Sequence, residues 1–252
     1  MCMIKENNKY ILKAKRKKVI KKLIVIFLLI TIGMIILINK SNFFIIKKVA
    51  ILGNPIVSGE DVKERTQNLI GKNIFFISKR DIINEAKKNP YVEEVEISKA
   101  YPKQVNIKII EKQGIYYVDN GAYKCVLNNK LILLEKPDNI DNRNLVELRG
   151  INFYDVEPGN VVLENSRIEN ILEIFYKIIK NNPTNYKIDS IDISDLTNIK
   201  VYIGEVEGRL GNDENILDKM NKLLHIMVSP EIGISKGYID VGFQGSPVYY
   251  SE

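Results

Sequence analysis

The side chains best suited to nucleophilic or metal chemistry are few and scattered. The 252-residue chain has two cysteines, Cys2 and Cys125, and one histidine, His225. A nucleophile needs a base beside it, and the base needs a group that orients it. His225 stands between Leu224 and Ile226 in a segment of helical periodicity, so it reads as a helix-flank residue. Cys125 falls in an alternating segment and reads as a small core residue. Two separated cysteines and one histidine do not make the usual nitrogen and sulfur ligand set of zinc. No catalytic, cofactor-binding or metal-ligating residue is assigned, and no cofactor is expected.

Two further motifs invite chemistry and decline it. Gly208-Arg209-Leu210-Gly211 lacks the Lys-Ser/Thr pair that a phosphate loop requires. The string LGNDENILDKM, residues 210–220, gathers acids and amides, but without the spacing of a calcium loop. It reads as a helix start whose negative charges suit the helix dipole.

Charge is distributed unevenly. Residues 1–39 hold nine Lys/Arg and one acid, a net of +8, and residues 40–252 hold 28 bases and 30 acids, a net of −2. The basic excess of the chain is thus confined to its start. A nucleic-acid-binding fold needs a basic footprint, which the larger part lacks.

Behind that basic arm, residues 23–39 (LIVIFLLITIGMIILIN) run seventeen residues without a charge. As a helix they span roughly 25 Å, and Val19 and Ile20 lengthen the run if Lys21 and Lys22 snorkel. A cleaved signal peptide has a shorter apolar core and small residues at its cleavage site. Here the run is followed by Asn39-Lys40-Ser41-Asn42-Phe43-Phe44, so a retained anchor is expected. Nine cations before the span outweigh Lys40, Lys47 and Lys48 after it, which places residues 1–22 in the cytoplasm and the C-terminus outside. With these two cysteines on opposite sides, they cannot pair.

Residues 43–112 read as a complete small α+β domain. A β-branched strand over residues 43–53 meets Gly53-Asn54-Pro55. Ser58 with Asp61, and Ser78 with Asp81, have the form of helix caps, and Asn89-Pro90 closes the second helix. Then Val95 and Ile97 alternate with Glu94, Glu96 and Ser98, and Val105, Ile107 and Ile109 alternate with Asn106 and Lys108. Such alternation marks a sheet with one buried face. The order is β-α-α-β-β.

The strings IIKKVAILGNPIVSGEDV, LIGKNIFFIS and NPYVEEVEISKAYPKQVNIKIIEK resemble the POTRA domain of the bacterial division protein FtsQ, called DivIB in Gram-positive bacteria. Their order and spacing directly after a type II anchor carry the resemblance.

Residues 113–252 read as a second, mixed α/β domain. Asp119-Asn120-Gly121 is a hairpin signal. Strands are expected at residues 115–118, 123–127, 131–134, 145–148, 188–193 and 199–205. Helices are expected at residues 165–181, with Ile168, Ile171, Leu172, Phe175 and Ile179 inward, and at residues 214–228. The second buries Ile216, Leu217, Met220, Leu223, Leu224 and Met227. Arg209-Leu210-Gly211, Lys219-Met220 and Lys236-Gly237-Tyr238-Ile239-Asp240-Val241 resemble the C-terminal β domain of the FtsQ/DivIB family.

The final strand, Tyr238, Ile239, Asp240, Val241, Gly242 and Phe243, precedes Gly245 and Pro247, which discourage further pairing. It is expected to be a sheet edge open to a partner strand. The resemblance implies a non-enzymatic scaffold of the division septum. It would bind bitopic partners of the FtsB/DivIC and FtsL type outside the membrane, linking early and late division proteins. No nucleic acid or small-molecule substrate is expected. The alternative is a membrane-anchored cell-wall enzyme carrying a POTRA module.

Overall fold

The computed structural model describes residues 3–53, 55–121, 123–141 and 143–252. Cys2 and Asn54, named above, lie outside the described residues. Helix α1 (Met3–Lys40) runs unbroken through the basic arm, whose Lys, Arg, Ala and Leu residues are good helix formers. Within it, the 24 residues Lys15–Ile38 are long and apolar enough to cross a membrane. At 1.5 Å per residue they cover about 36 Å, against a hydrocarbon thickness of about 30 Å. Its apolar side chains face outward on all sides, with Phe27 69% and Leu37 71% exposed. A surface this apolar needs a solvent other than water.

A short 3-10 turn (Asn42–Phe44) follows, opened by the Phe43 amide donating to Ser41 Oγ at 3.1 Å. The β-α-α-β-β order then appears as expected. Strand β1 (Lys48–Leu52), helix α2 (Gly59–Arg65), helix α3 (Lys79–Ala86), strand β2 (Val92–Ala100) and strand β3 (Gln104–Glu111) follow in turn. The sheet order is β1-β3-β2. β1 lies parallel to β3, with Val49 opposite Val105, and β2 antiparallel, with Ile97 opposite Ile107. Val105, Ile107 and Ile109 point into a core with Ile46, Val62, Leu69, Ile74 and Ile82.

Two local expectations change here. The strand expected from Phe43 begins at Lys48, because residues 44–46 bond instead to residues 71–74, including the Ile46 amide to the Lys72 carbonyl at 2.9 Å. Ser58 does not cap α2. The Glu111 carboxylate, fifty-odd positions away, instead holds the turn before the helix, taking the amides of Ile56, Val57 and Ser58 at 2.9, 3.0 and 2.5 Å. Ser78 does cap α3, accepting from the Asp81 amide.

The remaining chain builds a nine-stranded sheet. Its strands are β4 (Tyr116–Asp119), β5 (Lys124–Leu127), β6 (Leu133–Glu135), β7 (Val146–Arg149), β8 (Ser190–Asp192), β9 (Ile199–Ile203), β10 (Glu205–Gly211), β11 (Lys236–Asp240) and β12 (Val248–Ser251). Their spatial order is β12-β11-β10-β9-β8-β7-β4-β5-β6. Helix α4 (Ser166–Asn181) connects the parallel strands β7 and β8, and helix α5 (Ile216–Val228) connects the parallel strands β10 and β11. Both helices cover the same core: Leu172 and Phe175 of α4 and Met220 and Leu223 of α5 join Ile191, Val201 and Ile239 of the sheet.

Asn165 caps α4, accepting from the amides of Arg167 and Ile168. In α4, Ile178 is buried and Ile179 only partly so. In α5 the inward face differs from expectation by one position: Leu217 is 51% exposed and Ile226 is buried. A Cβ on Gly208 would lie 2.1 Å from Leu223 Cδ1, so α5 sits directly on the bare glycine of β10. That contact accounts for Gly208 of the Gly208-Arg209-Leu210-Gly211 motif, while Gly211, at φ +66°, meets the Gly242 backbone.

Candidate partner-binding edge

A sheet has two edges, and each presents unpaired backbone groups unless something covers it. On the β6 edge, the Leu133 amide donates to the Asn160 carbonyl and the Gly159 amide to the Leu133 carbonyl, so residues 159–162 cover the strand. The β12 edge carries no further strand among the described residues. Val248, Tyr249, Tyr250 and Ser251 are all exposed. In the smaller sheet, the outer strand β2 carries exposed Glu94 and Glu96, charges that discourage edge pairing.

This geometry corrects the expectation for residues 238–243. They are not the terminal edge. β11 lies between β10 and β12, with Tyr238 opposite Tyr250 and Ile239 opposite Tyr249. Gly245 and Pro247 do not end the pairing. They form the turn that returns the chain antiparallel to β11. Ile239 and Val241 are core residues, 0% and 4% exposed. The Gly242 amide is used internally, donating to Asp240 Oδ1 at 2.9 Å. Tyr238, Asp240, Gly242 and Phe243 of the six reach the surface, the last two beyond the end of the strand.

Gly237 is what lets β12 dock. Its φ is +128°, and a Cβ there would lie 2.0 Å from the Tyr250 carbonyl oxygen. Only glycine combines that conformation with such close backbone approach. Across the open face of the sheet a polar and aromatic row leads to the edge. Arg209 lies over the Tyr238 ring at 3.9 Å, and Tyr238 stacks on Tyr250 at 6.0 Å between centroids. Glu207 pairs with Arg209 at 2.7 Å and with Lys200 at 3.5 Å. Burial pushes the Glu207 carboxyl up, but the Arg209 hydrogen bond and the Lys200 charge outweigh it and hold it below the usual range. Arg209 is thereby fixed as the cation under Tyr238. Lys236 pairs with Glu252 at the far end of the same strand pair. The arrangement offers backbone bonds for a strand and tyrosines for its side chains.

The residues weighed for catalysis are apart from this edge and from one another. His225 is exposed in the last turn of α5. Cys125 is a buried free cysteine whose thiol burial pushes up, away from the reactive thiolate. Asp213 of the LGNDENILDKM string makes a bidentate pair with Arg167, at 2.8 and 2.9 Å, tying the start of α4 to the loop before α5.

An apolar N-terminal helix, a small β-α-α-β-β domain and a large mixed sheet with one open edge define the class: a membrane-anchored POTRA protein. The FtsQ-type POTRA domain family matches residues 44–112. Cell division protein DivIB of Clostridium botulinum (strain Hall) is 31% identical over 97% of this chain and 96% of its own length. DivIB of Clostridium acetobutylicum is 31% identical, covering 98% of both chains. FtsQ of Syntrophotalea carbinolica is 24% identical over 79% of this chain and 70% of its own. The chain belongs to the DivIB/FtsQ family of cell division proteins.

Proposed function

We propose that this chain is a non-enzymatic scaffold of the division septum. Its C-terminal sheet stands outside the membrane and receives a strand from a bitopic partner of the FtsB/DivIC type, with an FtsL-type protein in the same assembly. It thereby links early and late division proteins. The observation that carries this reading is the outer edge of β12, which has no further strand among the described residues and four exposed side chains, whereas the β6 edge at the opposite end of the sheet is covered. Backbone bonds along such an edge supply affinity, and alternate side chains supply register. Residues 238–243 contribute to this site as the strand beneath it, through Tyr238 and through Phe243 at its end. The topology rests on the nine cations before the span.

The full-length chain, tagged and expressed in its own cells, should recover an FtsB/DivIC-type protein. A variant ending at residue 246, which lacks β12, should lose that recovery while still reaching the membrane. Equal recovery by both would remove β12 from the interface.

A further inference from the structure

We propose that the membrane-proximal face of the POTRA domain is itself a lipid-binding surface, seated in the headgroup layer of the outer leaflet. This rests on the reading of α1 as a membrane span. Phe43 meets Phe44 edge-on at 5.1 Å, Phe44 meets Phe75 at 4.9 Å, and Phe75 stacks on Tyr101 at 5.2 Å. Three separate segments thus build one continuous row of rings. The row is not buried in the domain: Phe43, Phe75 and Tyr101 are 57%, 41% and 57% exposed, and neighbouring Phe76 is 60% exposed. A cluster this apolar on a protein surface marks a contact site.

Its position names the occupant. The apolar segment of α1 ends at Ile38, and Phe43 follows five residues later. The headgroup layer is roughly 5–8 Å deep on each side of the hydrocarbon, so the row begins within it. Aromatic rings concentrate at that level because they are apolar with a polar edge or tip. The Asn73 side chain donates to the Ile38 carbonyl at 2.8 Å, capping one of the carbonyls that the helix end leaves unpaired. That bond ties the loop carrying Phe75 directly to the end of the span. The domain therefore does not hang from a free tether, and the rings are held at the depth of the membrane surface.

The charges beside the rings fit anionic lipid. Lys103 Nζ lies 5.3 Å above the Phe43 ring, and Lys99 Nζ reaches the Phe75 carbonyl at 3.5 Å. Lys47 and Lys72 are exposed on the two chains that meet at Ile46. Lysines at this level attract acidic headgroups while their stems lie along apolar surface.

The chain has no tryptophan, so single tryptophans report position cleanly. Full-length protein carrying Phe43→Trp, Phe75→Trp, Leu29→Trp or Tyr154→Trp would be reconstituted in vesicles with acidic lipid. Nitroxide lipids would carry the quencher either near the headgroup or deep in the chains. Leu29→Trp should lose emission to the deep nitroxide, and both Phe43→Trp and Phe75→Trp to the shallow one. Tyr154→Trp, at a position 89% exposed elsewhere, should keep its emission. Replacing acidic with zwitterionic lipid should weaken the shallow quenching. Quenching of Leu29→Trp without quenching of either ring variant would overturn the lipid surface and leave the span intact. Absence of quenching at Leu29→Trp as well would overturn both. Unquenched but blue-shifted ring variants would assign the patch to a protein partner or a second copy instead.

Discussion

The Tyr91 hydroxyl donates to Glu135 Oε1 at 2.6 Å, joining the end of the POTRA domain to β6 of the large sheet. Arg143 reaches the same carboxylate oxygen, so one carboxylate serves a neutral and a charged donor. Burial, and then the Glu135 hydrogen bond, push the Tyr91 phenol well up, which keeps it a donor at every physiological pH. Nearby, Lys112 Nζ donates to the Pro90 and Val92 carbonyls at 2.9 and 2.6 Å. The Tyr91–Glu135 bond crosses between the domains, while the Lys112 bonds fasten the last residue of the POTRA region to its own residues 90 and 92.

Tyr91→Phe keeps the ring, which is 7% exposed, and removes only the hydroxyl. A hydrogen bond to a charged group contributes about 1.5–3 kcal/mol. We expect a loss at the lower end of that range in chemical denaturation of the full-length protein, because Arg143 still satisfies Glu135. Unchanged stability would mean that the Tyr91 bond is offset by solvation of the separated groups.

Glu111 supplies the pH dependence. Burial raises its carboxyl, but hydrogen bonds from Ser58, Ile56 and Val57 outweigh that and hold it below the usual glutamate range. A carboxyl lowered on folding contributes stability that is fully present above its unfolded value. That stability is lost as pH falls through the lower folded value. Acid unfolding should therefore steepen below about pH 4.5, and Glu111→Gln should flatten that limb. At neutral pH the variant should lose about 1–2 kcal/mol. Parallel acid limbs in the two proteins would refute the assignment.

Gly237→Ala tests the docking of β12 without deleting it. Forcing a non-glycine residue into that backbone conformation costs about 1–3 kcal/mol, and the clash with Tyr250 adds to it. Because β12 is exposed, the expected result is local: release of the strand, seen as faster amide exchange over residues 248–251. Recovery of the FtsB/DivIC-type partner should fall with it, while α4 and α5 keep their protection. Normal partner recovery with a released strand would count against strand addition.

His225→Gln should leave both division and stability unchanged, since the ring is exposed at the end of α5. Cys125→Ala should cost about 1 kcal/mol from lost packing and leave division intact. Loss of division from His225→Gln, at normal protein level and melting temperature, would revive an enzymatic reading.

We expect residues 43–112 to fold without the remainder. The buried residues of that region form a cluster separate from the core of the large sheet. A random-coil NMR spectrum from that fragment, which lacks Glu135, would show that contacts with the large sheet such as the Tyr91–Glu135 bond are indispensable.

Much of this protein could be read directly from its residues, because the physics involved is local. A charge-free run behind nine cations predicts a helix long and apolar enough to cross a membrane, which residues 15–38 form, and the period of 3.6 in residues 165–181 specifies a helix. Ser78 announces its cap within three positions, and Asp119-Asn120-Gly121 announces its hairpin. The alternation of Val105, Ile107 and Ile109 orients β3. The resemblance to the POTRA domain put a family to the β-α-α-β-β order already read from the residues, and the sheet order β1-β3-β2 came from the structure.

What the tertiary structure decided depends on groups distant in sequence. Ser58 does not cap α2, and the amides of Ile56, Val57 and Ser58 in the turn before it are held by Glu111, a carboxylate brought there by sheet pairing. Leu217 is exposed and Ile226 buried, a face that the period of α5 does not fix and its seat on the sheet does. Residues 238–243 carry every mark of a last strand, yet they lie one strand in. An edge is a property of neighbours, and whether β12 pairs beyond Pro247 turns on the bare Cα of Gly237 facing Tyr250. Periodicity specifies which side chains a strand buries; only the assembled sheet determines which strand is left open to another protein.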